Sequence, residues 1–105
     1  MGDRVIVAGT APIPPEGEEV AATAYEQMLR CGEIMLGALG QAGAAAGDVV
    51  RTRMFITNRA DADEIGRAHQ QVFGEASPAA TMVVVAGLLD PAWRVEAEAE
   101  AQIRS

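Results

Sequence analysis

Hydrophobic and polar residues follow two different periods along the chain, and the changes of period predict its elements. The β-branched run "RVIVAG", residues 4–9, predicts a strand. The three prolines of "TAPIPPEGEE" predict a loop after it, because proline fits neither a helix interior nor a central strand. From Val20 onward apolar residues recur at spacings of three and four, which predicts a helix. Its apolar stripe is Ala21, Ala24, Met28, Cys31, Met35, Ala38 and Ala42.

The next two segments predict a strand and a second helix. Alternation in "VVRTRMFIT" places Val49, Arg51, Arg53 and Phe55 on one side of the strand and Val50, Thr52, Met54 and Ile56 on the other. Asp61, with Glu64 three residues later, is typical of a capping box that begins a helix, and Gly74 and Pro78 predict its end. The buried stripe of this helix is predicted to be Ile65, Ala68, His69, Val72 and Phe73.

The C-terminal segments predict two further strands. "TMVVVAGLL" is a continuous apolar run, which indicates a strand in the middle of a sheet that is covered on both faces. After the turn "DPAW", the stretch "WRVEAEAEAQI" alternates strictly, with Arg94, Glu96, Glu98 and Glu100 on one side. The element order predicts an α+β fold with two helices on a mixed sheet of at least four strands. The other sheet face is too apolar for a monomer in water, so we expect self-association.

Length, charge and cysteine content narrow the function classes. A chain of 105 residues, half of them hydrophobic, predicts a single domain over residues 1–105. The net charge of −7, with eight arginines and no lysine, argues against nucleic-acid binding. One Cys and one His leave neither an intrachain disulfide nor the usual zinc ligands. The start has neither a signal peptide nor a membrane span, so we expect a cytoplasmic protein that has no membrane partner.

The single His and Cys have structural roles in this interpretation. His69 lies beside core positions of a predicted helix, where a hydrogen-bonded, packed side chain is commoner than a catalytic base. Cys31 lies in the apolar stripe of the first helix, where burial would raise the pKa of its thiol and leave it unreactive.

Six segments together resemble the RidA/YjgF family, the reactive-intermediate deaminases, in order and spacing. These are "GDRVIVAGTAPI", "AYEQMLRCGEIM", "AGAAAGDVVRTRMFIT", "DEIGRAHQQVFGE", "SPAATMVVVAGL" and "VEAEAEA". The resemblance implies a chorismate-mutase-like fold, a homotrimer with a central barrel, and small-molecule clefts between subunits. Family members commonly carry an aromatic-bearing strand before the segment that matches "GDRVIV". The resemblance predicts that this strand and its cleft wall are missing from the sequence.

The resemblance also implies a chemistry and two residue positions for it. Deaminating members hydrolyse an enamine or imine, such as 2-aminoacrylate, without metal or organic cofactor. An arginine binds the substrate carboxylate through two parallel N–H donors, and a glutamate orients the attacking water. The glutamate corresponds to Glu96. The arginine position is Ala80, and losing such an ion pair costs about 2 to 5 kcal/mol of binding, so ordinary imine deamination is not expected.

Further cleft residues follow from the resemblance. Gly9, Thr81 and Met82 correspond to the cleft floor, where backbone donors can hold an oxygen atom. Ala80, Met82 and Trp93 would give the cleft low polarity, which favours a more apolar ligand than a small amino-acid imine. Arg51 and Arg53 are candidates for a replacement anion clamp, although pairing with glutamates is the favoured interpretation. Arg94, which is closest in sequence to Glu96, has the same two alternatives.

Three functions remain open at this point. The leading hypothesis is a RidA-like trimer that binds a small metabolite between subunits and hydrolyses or deaminates an imine, an enamine or a more apolar compound. The second is a 2-aminoacrylate deaminase with a relocated arginine. The third is a non-enzymatic trimer with a regulatory or structural role.

Overall fold

The sheet and its two helices follow the predicted order of elements. A computed structural model describes residues 3–103. The strands are β1 (Arg4–Thr10), β2 (Val49–Ile56), β3 (Ala79–Val84) and β4 (Val95–Gln102), and the helices are α1 (Ala24–Gln41) and α2 (Ala62–Phe73). The strand order is β1-β4-β2-β3, in which β2 and β3 are parallel and the other neighbours are antiparallel. The predicted mixed sheet of at least four strands is therefore confirmed, whereas the extra strand expected in relatives would lie outside the described residues.

Helix α1 begins four residues later than the pattern predicts. Thr23 is its N-cap, and the threonine hydroxyl accepts a hydrogen bond from the backbone N–H of Glu26 at 3.1 Å. The predicted stripe is correct from Ala24 to Met35, but Ala21 precedes the helix, Ala38 and Ala42 are exposed, and Leu39 is buried instead. Leu39 is four residues after Met35, and its larger side chain fills the core at the end of the helix.

Helix α2 buries the predicted face but does not begin with a capping box. Ile65, Ala68, His69 and Phe73 are buried, Val72 is only partly buried, and the helix ends at Phe73 before Gly74. Asp61 occupies the N-cap position without capping, because its carboxylate accepts hydrogen bonds from Arg94. The Glu64 carboxylate accepts a bond from the Tyr25 backbone N–H and so ties α2 to α1. The predicted capping box is wrong for these two reasons.

Strand β4 is the centre of the sheet, and its small side chains face the helices. Its buried residues are Val95, Ala97, Ala99 and Ala101. Met28, Met35 and Leu39 of α1 are fully buried in the same cluster. Methyl groups on the strand allow the helix to lie close to the sheet, and the flexible methionine side chains fill the remaining space.

A bulge in β2 changes the predicted alternation at the start of that strand. The register with β4 shifts between Val49 and Arg51, so Val49 is buried and Val50 is exposed. From Arg51 to Ile56 the predicted alternation is confirmed, with Thr52, Met54 and Ile56 on the helix side.

Strand β3 lies at an edge of the sheet, which corrects the prediction of a central strand. It pairs with β2 only, and Val83 and Val84 are 40% and 52% exposed. The strand ends at Val84, and Leu89 in the following loop is almost fully exposed. Strand β3 has no second strand neighbour within residues 3–103, and the expected self-association stays a prediction. Neither helix in this range is long and apolar enough to cross a membrane.

Two glycines of α1 provide a test of the helix packing. A Cβ atom at Gly32 would lie 2.7 Å from Cγ2 of Val72 in α2, whereas a Cβ at Gly37 would meet nothing within 4 Å. We expect Gly32→Ala to lower the free energy of unfolding by about 1 to 3 kcal/mol through overpacking. Gly37→Ala should raise it by up to about 1 kcal/mol through helix propensity. Urea denaturation measures both, and a Gly32→Ala protein as stable as wild type would contradict the close contact.

Candidate functional site

The sheet face opposite the helices, called the open face here, carries a ladder of ion pairs. Arg4 and Arg51 both contact Glu100, with Nη2–Oε distances of 2.6 Å and 2.5 Å. Arg53 contacts Glu98 at 2.6 Å. Hydrogen bonds from Arg4 and Arg51 lower the pKa of the Glu100 carboxyl below its usual value. Pairing of Arg51 and Arg53 with glutamates is thus observed, and their use as an anion clamp remains a prediction.

Glu96 has different surroundings from the other two glutamates of β4. It is half-buried, and within residues 3–103 it forms no ion pair. In the sheet register it lies opposite Phe55 of β2. On its other side it contacts Gly9, where a Cβ atom would lie only 2.4 Å from Oε2 of Glu96. The glycine in β1 therefore leaves the space that the carboxylate occupies.

A second bulge accompanies this contact. The register between β1 and β4 shifts between Val7 and Thr10, so the chain around Gly9 departs from regular pairing at the level of Glu96. Thr10 resumes the ladder opposite Ala97, and its hydroxyl donates to the backbone carbonyl of Ala8 at 3.0 Å. Gly9 and Glu96, two of the predicted site residues, are thus neighbours.

The predicted site residues of β3 are divided between the two sheet faces. Thr81 lies opposite Arg53 and belongs to the open face. Ala80 lies opposite Thr52, whose side chain is buried under the helices, and Met82 packs against the same core. Because successive residues of a strand point to opposite faces, Ala80 and Glu96 are on opposite faces of the sheet of one chain. They do not form a site within a single chain.

Trp93 and Arg94 belong to a third group, just before β4. The Arg94 Nη1 lies 3.1 Å from both carboxylate oxygens of Asp61, and Asp61 is buried. Arg94 and Asp61 line a polar cavity of about 610 Å³ with Gln27, Thr57 and Asn58, whereas neither Trp93 nor Glu96 is among its lining residues. Arg94 is the arginine closest to Glu96 in sequence. Its guanidinium is nevertheless held by Asp61, and it lines a cavity that Glu96 does not line.

Gln27 is a polar residue that the sequence interpretation did not consider. Its side chain is almost completely buried and forms three hydrogen bonds with backbone atoms of two loops. The signal was present, since Gln27 follows Ala24 by three residues and precedes Cys31 by four, on the apolar stripe of α1. A polar side chain at such a position needs hydrogen-bond partners.

His69 and Cys31 have the packed surroundings that the sequence predicts. His69 Nε2 lies 2.7 Å from Oγ1 of Thr52, and its ring lies against Phe73 with a centroid distance of 5.4 Å. Burial lowers the pKa of His69. Cys31 is buried, and burial, followed by the negative charge of Glu96, raises the pKa of its thiol to about 12. A thiol with a raised pKa is a poor nucleophile, so Cys31 lacks the properties of a reactive group. Within residues 3–103, no three His, Cys, Asp or Glu residues are grouped to hold a metal ion.

Comparisons with known proteins agree with this architecture. The family model described as Endoribonuclease L-PSP matches residues 1–103. Uncharacterized protein SCO2049 of Streptomyces coelicolor is 35% identical over 100 residues, which are 95% of this chain and 75% of that protein. Rv2704 of Mycobacterium tuberculosis, a member of the YjgF/YER057c/UK114 family, is 37% identical with a TM-score of 0.89 over 98% of this chain and 81% of that one. Escherichia coli TdcF, crystallised with bound serine, is 28% identical with a TM-score of 0.90 over 99% and 84% of the two chains.

The mixed sheet with both helices on one face has the α+β, chorismate-mutase-like fold that the resemblance implied. Within this class, the chain belongs to the YjgF/RidA family, because the family model spans nearly its whole length.

The burial of His69 predicts a pH dependence of the free energy of unfolding. Burial lowers the pKa of His69 in the folded state below its ordinary value of 6.5, so the unfolded state binds more protons below that pH. The free energy of unfolding should therefore fall as the pH falls below 6.5, by at most about 1.4 kcal/mol per pH unit for this one group. Urea titrations at pH 7.5, about 6 and about 5 should show a smaller slope for His69→Gln. Equal slopes for variant and wild type would contradict the prediction.

Proposed function

We propose that this protein is a homotrimer that binds a small metabolite in a cleft between subunits and that Glu96 orients a water molecule there. The observation that carries the proposal is the difference among the three glutamates of β4. Glu98 and Glu100 contact arginines, whereas Glu96 forms no ion pair within the described residues and lies against Gly9. A carboxylate that neutralises no neighbouring cation is available to accept a proton from water.

The placement of the remaining residues supports a cleft between chains. Ala80 and Glu96 lie on opposite faces of one sheet, so a ligand that touches both has to contact two subunits. The edge strand β3 exposes Val83 and Val84, and Ile6 on β1 is 69% exposed. Apolar surface of this kind, together with an unpaired strand edge, favours association with another chain.

A carboxylate and a water molecule suffice for the hydrolysis of an imine. The water oxygen forms a bond to the imine carbon while Glu96 accepts one of its protons. The carbon–nitrogen double bond becomes a single bond, and Glu96 gives the proton that it accepted to the nitrogen, which forms a carbinolamine. The hydroxyl proton of the carbinolamine is then transferred to the amine nitrogen, the carbon–nitrogen bond breaks, and ammonia leaves as the carbonyl group forms. This sequence needs no oxidant, metal or organic cofactor.

Ala80 restricts the class of substrate. Its methyl group forms no ion pair, and Arg51 and Arg53 on the adjacent strand β2 contact glutamates on the opposite face of the sheet. A ligand whose binding depends on a carboxylate clamp would lose about 2 to 5 kcal/mol of affinity. The serine bound to TdcF supports a small metabolite as the ligand class. For this chain we favour an imine, an enamine or a more apolar compound that needs no such clamp.

A relocated arginine is the second candidate mechanism. Arg53 pairs in the β2–β3 register with Thr81, one of the predicted cleft residues, and its side chain is 46% exposed. Rotation away from Glu98 would place its guanidinium near β3, at the cost of an exposed ion pair that contributes about 0 to 1 kcal/mol. In that case the protein would deaminate 2-aminoacrylate, and Arg53→Ala would abolish the activity.

A matched pair of glutamine variants tests the role of Glu96. We expect Glu96→Gln to lower ammonia release from imines of apolar amino acids, generated by an amino-acid oxidase, on the order of a hundredfold. Glu98→Gln is the control, because that side chain lies on the same strand face and contacts Arg53. Size-exclusion chromatography with light scattering verifies that both variants form the trimer. Equal losses in the two variants, or a monomeric wild-type protein, would contradict the proposal. Ligand-dependent thermal stabilisation without turnover would instead support the non-enzymatic role.

Restoring the arginine tests the explanation for the substrate class. Ala80 is exposed in the single chain, so a larger side chain is accommodated there without disturbing the core. We expect Ala80→Arg to increase kcat/KM for 2-aminoacrylate by about thirtyfold or more, which corresponds to regaining at least 2 kcal/mol. Ala80→Lys is the control, since it adds charge without two parallel donors. Efficient turnover of 2-aminoacrylate by the wild-type protein would contradict the assigned role of Ala80.

A further inference from the structure

Gln27 connects helix α1 to two loops through its side-chain amide. Its Nε2 donates hydrogen bonds to the backbone carbonyls of Ala21 and Ala92, both at 3.0 Å. Its Oε1 accepts a hydrogen bond from the backbone N–H of Arg94 at 2.7 Å. The residue is only 2% exposed. The Gln27 side chain is therefore almost inaccessible to water, although it borders the polar cavity described above.

The hydrogen bonds to the backbone of Ala92 and Arg94 flank Trp93 in the sequence. The Ala92 carbonyl, before Trp93, accepts a hydrogen bond from the Gln27 amide, and the Arg94 N–H, after Trp93, donates one to it. A neighbouring strand would supply the same hydrogen-bonding pattern. The Arg94 carbonyl in turn accepts a hydrogen bond from the Thr57 N–H at 3.2 Å. The side chain of Gln27 thus acts as a short strand neighbour for the residues immediately before β4.

This segment leads directly to the candidate catalytic residue. Strand β4 begins at Val95, and Glu96 is its second residue. The Arg94 side chain is held separately by Asp61, which is buried, so both the backbone and the guanidinium at this position are fixed. Gln27 holds the backbone, and no other side chain in the described part of the chain bonds to the peptide groups on both sides of Trp93.

We infer that Gln27 is a positioning residue, which sets the orientation of Trp93 and the start of the strand that carries Glu96. The inference rests on the proposed function for its catalytic consequence, but not for its effect on Trp93. An amide is required at this position because two carbonyls face its NH₂ group and one N–H faces its oxygen. A carboxylate would keep only the bond from Arg94, and an aliphatic side chain would keep none.

Trp93 is the one tryptophan of the chain, so its fluorescence reports this segment alone. We expect Gln27→Leu to shift the emission of the ligand-free protein to longer wavelength and to increase quenching by acrylamide. The amides of Arg94 and Glu96 should also exchange hydrogen faster. In the imine assay, kcat should fall on the order of tenfold to a hundredfold, since a displaced catalytic group is less effective. Trp93 emission and exchange rates equal to those of the wild type would overturn the inference.

Leu39→Ala is the matched control for loss of stability alone. Leu39 is fully buried on the same helix face, but at the far end of α1. We expect this variant to lower the melting temperature while Trp93 emission, hydrogen exchange at Glu96 and kcat stay at wild-type values in the folded protein. The same spectral change in Leu39→Ala would overturn the positioning role.

A second substitution and two separate readouts keep the test decisive. If Gln27→Leu does not fold, Gln27→Glu, which preserves the length of the side chain, should show the same changes to a smaller extent. A wild-type protein without imine turnover or ligand binding would contradict the proposed function, whereas the fluorescence and exchange results would still decide the effect of Gln27 on Trp93. Normal fluorescence and exchange in Gln27→Glu would count against the inference.

Discussion

The close packing of α1 on the alanine face of β4 is the constraint on which the rest of the structure depends. Ala97, Ala99 and Ala101 present only methyl groups to the helix, and Met28 and Met35 fill the space between them. A larger side chain at any of these strand positions would push the helix outward. The same approach brings Gln27 within reach of the segment before β4. The alanines of β4 therefore determine both how closely α1 packs on the sheet and how the segment before β4 is held.

The three glutamates on the opposite face of β4 differ in their ion pairs. Glu100 contacts two arginines, Glu98 contacts one, and Glu96 contacts none within residues 3–103. Side chains on one face of a strand are about 6 to 7 Å apart, so the three carboxylates would repel one another if all were unpaired. The arginines relieve this repulsion at one end of the row. At the other end, the space that Gly9 leaves allows Glu96 to adopt its position without a cation.

Local sequence patterns were sufficient to predict the class of fold and most of the buried faces. The periods of two and 3.6 correctly predict four strands, two helices and the buried side of β4, because these features depend on residues adjacent in sequence. The bulge at Val50 and the edge position of β3 depend on pairing with distant strands, which no local period records. Asp61 has the spacing of a capping residue, but Arg94, 33 positions later, takes its carboxylate. The candidate site is harder still to predict from sequence, because only the strand pairing shows that Ala80 and Glu96 lie on opposite faces of the sheet.

The cations of the ion-pair ladder are all arginines, and this determines how the open face responds to alkaline solution and to chemical modification. The guanidinium group keeps its charge far above the pH at which a lysine ammonium becomes neutral. Reagents directed at side-chain amines find no target, because the chain contains no lysine. The charge pattern of this face is thus insensitive to acylation, carbamylation and similar reactions that erase positive charge on other proteins.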